Sequence, residues 1–130
     1  MAKIERFEDI KAWGMAKDLV MVIYRLSGKG SFSQDFALKD QIRRASVSVM
    51  SNIAEGFERG SKAEFARFLR IAKGSCGEVR SQLYVLLDLD YVKREEFLLA
   101  KAKAEDLSKA LSGFINYLVH GSGRSASEKV

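Results

Sequence analysis

From Phe65 to Leu86 the apolar residues Phe65, Leu69, Ala72, Cys76, Val79, Leu83 and Leu86 recur at alternating steps of four and three. A second series, Phe97, Ala100, Ala104, Leu107, Leu111, Phe114 and Leu118, keeps the same beat. That spacing holds one stripe of a 3.6-residue helix apolar, and no run of period two competes with it. The chain contains no proline, so no ring removes a backbone donor or kinks a long helix. The spacing predicts four helices, near residues 7–27, 34–57, 62–88 and 94–119.

The residues between the helices read as stops and starts. Gly28-Lys29-Gly30-Ser31 ends the first helix, and Ser33 suits the N-cap of the second. Gly56 and Gly60 break the chain before Ser61-Lys62-Ala63-Glu64, which has the spacing of a capping box. Asp88-Leu89-Asp90-Tyr91-Val92 forms the third connection, with Tyr91 and Val92 expected against the end of the bundle. Glu95 and Glu96 match the positive start of the last helix. Connections this short make successive helices antiparallel neighbours. The expected fold class is all-α, an antiparallel up-down-up-down four-helix bundle. Its 130 residues suit one domain, residues 1–120, with a mobile tail at 121–130 that has nothing to bury.

Several chemistries lack their residues. With one Cys and one His, a single chain forms no internal disulfide and no thiolate or imidazole metal cluster. His120 sits at the fraying end of the last helix, and Cys76 occupies a core position. Neither has a neighbour in sequence that would make it, or a serine, a nucleophile. Gly74-Ser75-Cys76-Gly77 lacks the spacing and the ending of a phosphate-binding loop. Asn52 and Glu55 read better as capping or inter-helix hydrogen-bonding groups than as catalytic ones. We therefore expect no enzyme, no catalytic residue, no metal and no cofactor. No apolar stretch approaches the roughly 20 residues of a membrane span, and Met1–Asp9 carries acids where a signal peptide needs an apolar run. A cytoplasmic protein without a membrane role is the expectation.

The first two helices carry more apolar surface than one protomer needs. In the first, Ile10, Trp13, Val20 and Tyr24 lie on one side while Met15, Leu19, Val22 and Leu26 lie roughly opposite. In the second, Leu38, Ile42, Ala45, Val49 and Ile53 form one stripe, and Phe36, Val47, Met50 and Ala54 another. Scattered surface hydrophobes are one reading. A subunit interface is the other, with Met15, Leu19, Val22, Leu26, Phe36, Val47, Met50 and Ala54 as its candidates.

The net charge of +5 is concentrated. Residues 39–80 hold nine basic and five acidic side chains, a net +4. On the third helix Lys62, Arg67, Arg70, Lys73 and Arg80 fall within an arc of about 140°, with Gly74 and Gly77 inside it. A glycine in a helix interior costs about 1 kcal/mol relative to alanine, and removing Cβ lets another backbone come close. A solvated face with ion pairs and a phosphate-contacting surface both fit this arc. No aromatic stacking platform accompanies it.

The run Gln41-Ile42-Arg43-Arg44-Ala45, then Asn52-Ile53-Ala54-Glu55-Gly56, Arg59, Ser61 and Glu64-Phe65, resembles a bacterial four-helix-bundle family. That family was first noticed as products of intervening sequences in large-subunit ribosomal RNA genes and is often labelled ribosomal-like. Phe7-Glu8-Asp9-Ile10-Lys11-Ala12-Trp13, Ile71-Ala72-Lys73-Gly74-Ser75 and Asp90-Tyr91-Val92 fit it too, over about residues 7–119. The chain departs at Phe36-Ala37-Leu38, where Tyr-Gly-Leu is common, and at Cys76-Gly77-Glu78, where leucine often follows the serine. The resemblance implies a homo-oligomer, a closed pentameric ring. It also implies kinship with the accessory protein of diversity-generating retroelements, which works with a reverse transcriptase and nucleic acid through a basic surface. Carried over by position, the candidates are Arg43, Arg44 and Arg59, beside Lys62, Arg67, Arg70, Lys73 and Arg80 from the charge pattern. The expected function is a non-enzymatic oligomer whose basic surface contacts RNA, DNA or a ribonucleoprotein. The alternative is a structural or adaptor protein that binds a protein partner and no nucleic acid.

Overall fold

Each helix begins where a side chain or turn satisfies its first backbone donors. In the computed structural model, which describes residues 4–121, a 3-10 turn at Phe7–Asp9 precedes α1 (Lys11–Ser27). Ile10 between them is extended, at φ −80° and ψ 120°, so the chain enters α1 through a break. A second 3-10 turn at Gly30–Gln34 leads into α2 (Phe36–Glu58). Its N-cap is Asp35, whose carboxylate accepts from the Leu38 N–H at 3.2 Å. Ser33, expected in that role, lies inside the 3-10 turn and donates to the Gly30 carbonyl at 2.7 Å. The extra turn moves the cap two residues along.

α3 (Lys62–Asp88) opens on Ser61, whose hydroxyl accepts from the Glu64 N–H at 3.1 Å. The Glu64 carboxylate does not complete a capping box; it turns to Arg67 Nε at 3.1 Å. α4 (Arg94–His120) starts where Glu96 accepts from the Lys93 N–H at 2.8 Å, and it ends on Gly121 at φ 66°. The expected mobile tail at 121–130 lies, but for Gly121, outside the described residues.

The four helices pack in chain order, with α2 between α1 and α3, α3 between α2 and α4, and α4 closing the square against α1. This is the expected four-helix bundle, without strands among the described residues. Its axis is filled by Leu19, Ile23, Ile42, Val49, Ile53, Leu69, Cys76, Leu83, Leu86, Leu107 and Leu111. Burial of such side chains contributes about 1.5–3 kcal/mol each. Tyr91 stacks on the fully buried Phe32 at 5.5 Å, and Val92 is buried, so the α3–α4 connection lids one end.

The α2–α3 turn is tight for a reason visible at Gly56. It does not break the chain; it is a buried residue of α2, and a Cβ there would lie 2.6 Å from Phe68 Cβ. Gly60, at φ 85°, makes the turn instead. Below it Phe57, Phe65 and Phe114 pack edge to face, at 5.9 and 4.9 Å.

Candidate nucleic-acid interface

The basic residues divide by what already holds them. Arg43, half-buried on the α1 side of α2, donates through Nε to Ser27 Oγ at 2.7 Å and through Nη2 to the Tyr24 carbonyl at 3.4 Å. Its guanidinium lies over the Tyr24 ring at 4.2 Å. It thus fastens the last turn of α1, whose carbonyls lack helical partners, and it is occupied inside the protomer. Its neighbour Arg44 is exposed and paired with Asp40 at 2.8 Å.

Arg59 and Arg67 form a second structural group. Their guanidinium groups lie 4.8 and 4.6 Å from the Phe68 ring, which they cover. Glu55 holds Arg59 at 2.9 Å and Glu64 holds Arg67 at 3.1 Å. The Arg67 hydrogen bond, reinforced by the charges of Arg67 and Arg59, keeps the Glu64 carboxyl below its ordinary pKa, and the same bond raises Arg67. Each of these arginines is neutralised by an acid of its own or the adjoining turn.

Lys62, Arg70 and Lys73 differ: all three are exposed, and among the described residues none makes an ion pair. They follow one side of α3 toward its seam with α4, where Arg80 stands half-buried. The charges of Arg80 and Lys73 reach Cys76, drawing its thiol down against the burial that dominates and pushes it up to about 11. The thiol stays protonated at neutral pH and donates to the Ala104 carbonyl at 3.1 Å. α4 brings Ser108, Lys109 and Ser112 to the same groove. Sequence reading did not single these out, because residues 81–130 are balanced in charge as a block. Asn52, weighed for chemistry, donates instead to the Ser48 carbonyl at 2.8 Å, and Ser48 meets Ser75 of α3 at 3.0 Å.

The assembly candidates also divide. Leu19 and Leu26, assigned to an outer stripe, are 0% and 7% exposed and belong to the protomer core. They cannot serve a surface contact. Met15 and Val22 are half-buried and pack on that core, and Met15 lines the α1–α4 seam with Asp18, Lys103 and Asp106. On α2, Val47, Met50 and Ala54 are half-buried, and Phe36 is 69% exposed. Tyr24 of α1, from the stripe of Ile10, Trp13, Val20 and Tyr24, shares this seam with Val47. A hollow of about 430 Å3 opens there, lined by Tyr24, Asp40, Arg43, Arg44, Val47 and Ser48.

The family model for 23S rRNA-intervening sequence proteins matches residues 8–113. The chain belongs to that family. A crystal structure of a protein of unknown function from the S23 ribosomal protein family, from Bacteroides thetaiotaomicron, superposes with a TM-score of 0.74 at 22% sequence identity. The match covers 81% of this chain and 95% of that one, and it shows a shared fold. No curated protein matches the chain. Among the described residues of this family member, no group of His, Cys, Asp and Glu is placed to hold a metal ion. Among the described residues no helix is long and apolar enough to cross a membrane.

Proposed function

We propose that this intervening-sequence family protein is a non-enzymatic homo-oligomer, a pentamer as the resemblance implies, that contacts RNA or DNA through the exposed flank of α3. The observation that supports this most is the row Lys62, Arg70 and Lys73, three cations free of any acid partner among the described residues, in a family named for 23S rRNA intervening sequences. Lysines and arginines left unpaired on one surface attract phosphates without regard to sequence. Arg44, Arg59 and Arg67 add attraction only where a phosphate displaces Asp40, Glu55 or Glu64. Assembly through the α1–α2 seam, with Met50, Val47, Ala54 and Phe36, would multiply the +5 carried by each copy.

Titration of the protein with mixed RNA and DNA at two salt concentrations tests the reading. Binding that weakens steeply as salt rises is the expected result. Absence of binding at low salt, or an affinity indifferent to salt, would refute it. One observation favours the adaptor reading instead. Phe36, Tyr84, Val85, Leu89, Leu98 and Leu99 are all exposed and all belong to the end of the bundle where α2 and α4 begin and α3 ends, and exposed apolar side chains there favour a protein contact.

A further inference from the structure

The basic arc of α3 also holds an aromatic ring. Counted at about 100° per residue, Lys62, Arg70, Lys73, Arg80 and Tyr84 fall within about 80° of one another around the helix. Tyr84 stands one turn after Arg80 and about 16 Å along the axis from Lys73. Asp88, one turn further, is exposed on the same arc and closes the row with a charge that repels phosphate. An arc counted by its charges alone shows no aromatic; its uncharged positions include this one.

The ring is both open and held. Tyr84 is 49% exposed, and its aromatic neighbour among the described residues is the buried Phe97 of α4, edge to face at 5.1 Å with 68° between the planes. A contact of that geometry covers at most one face of the Tyr84 ring. Phe97 thus steadies the ring from inside the bundle while half of the residue stays in water. Position separates Tyr84 from the other large apolar residues exposed on α3. Ile71 and Val85 lie outside the basic arc by about 60° or more.

We infer that Tyr84 is a stacking platform for an unpaired base, which makes single-stranded polynucleotide the class of ligand this face takes. The inference rests on the proposed nucleic-acid contact and deepens it. Cations attract the phosphates of any strand, paired or not. A ring face serves only a base that is free to leave its own stack, and a row of cations beside an exposed aromatic is the pairing that single strands use. A duplex keeps its base faces inside the helix and offers the arc phosphates alone. A single strand that lays one base on Tyr84 brings the phosphates a few nucleotides away to Lys73 and Arg70.

The test titrates the full-length protein with a mixed-sequence RNA oligonucleotide, single-stranded and as a duplex, at low and moderate salt. Tyr84→Leu keeps an apolar side chain against Phe97 and removes the ring face; Tyr84→Phe keeps both. Tyr84→Leu should weaken single-strand binding about tenfold, leave duplex binding as it was, and keep the slope of log affinity against log salt, since no charge is lost. Tyr84→Phe should bind as wild type does. Lys73→Gln should instead lower that slope by about one on either ligand. The Tyr84 ring protons of the wild type should move upfield as the single strand is added. Single-strand binding indifferent to Tyr84→Leu, or an equal loss on both ligands, would overturn the platform while leaving the basic-surface reading intact. Failure of the wild type to bind either ligand would remove both. A Tyr84→Leu variant that changes sedimentation yet binds RNA as wild type does would place the ring in a protein contact, and this too overturns the platform.

Discussion

The two seams on opposite sides of the bundle use their cations differently. Along the α1–α2 seam, Arg43 is consumed by Ser27, the Tyr24 carbonyl and the Tyr24 ring, and what remains at the surface is Val47, Met50 and Ala54. Along the α3–α4 seam, Lys73, Arg80 and Lys109 have no acid partner among the described residues and line a groove with Ser108 and Ser112. One seam uses its arginine to hold helices together. The other leaves its cations available. The proposed assembly and the proposed nucleic-acid contact thereby fall on different surfaces, which mutations can address separately.

Arginine replacement gives the largest expected difference between the seams. Arg43→Ala should destabilise the protein by about 1–3 kcal/mol, because the Ser27 hydroxyl and the Tyr24 carbonyl are deprived of a charged donor in a part-buried place. Arg80→Ala should change stability by less than about 0.5 kcal/mol or raise it, since its buried Nε has no partner to lose. Thermal unfolding of the pair decides; equal losses would break the comparison. Glycine gives the next contrast, with opposite signs. Gly77→Ala should stabilise by up to about 1 kcal/mol, as helix propensity is gained without a clash. Gly56→Ala should destabilise by about 1–3 kcal/mol, because Phe68 must move. Denaturant midpoints report both.

Met50→Glu sharpens the other side of the comparison. Met50 is half-buried on the apolar seam, so the charge should dissociate an oligomer while leaving helix content intact. Leu83→Glu, at a core position with no exposure, should unfold the protomer. Circular dichroism beside sedimentation separates these outcomes. The smallest effect concerns acid. Glu96 is held below its ordinary value of 4.5 by the Lys93 N–H first and then by Lys29 at 2.9 Å. A carboxyl lowered in the folded state contributes stability at neutral pH that is lost as pH falls below the unfolded value and through the lowered one. Glu96→Gln should therefore cost a little stability at pH 7 and nothing at pH 2, measured by unfolding at both.

Much of this architecture was written in the spacing of apolar residues, and the failures have local causes. α3 and α4 each carry one apolar stripe, so their inward faces followed directly. α1 misled because its inward face at its start is Ala12 and Ala16, small residues outweighed in the sequence by Trp13 and Tyr24 on its flank. Ile10 precedes the helix in an extended conformation, but Trp13, Val20 and Tyr24 keep the same direction at about 100° per residue without it, so the weight given to their bulk is the cause. Leu19 and Leu26 were assigned outward by that error. The α2 cap slipped from Ser33 to Asp35 because nothing in Gly30–Gln34 announces a 3-10 turn rather than a loop. In the candidate site, the basic arc of α3 was legible from charge and period. That Arg43, Arg59 and Arg67 are held by Tyr24, Ser27, Glu55, Glu64 and Phe68 was not, because such partners depend on rotamers and helix crossings. Lys109 escaped notice for a related reason: its neighbours in the groove come from another helix.

Sedimentation velocity with a labelled oligonucleotide at low salt, on wild type and on Lys62→Gln/Arg70→Gln/Lys73→Gln, tests the division of labour most directly. The triple variant should sediment as the same oligomer as wild type while leaving the oligonucleotide behind. A variant that falls apart, or that carries the oligonucleotide as well as wild type does, would contradict it.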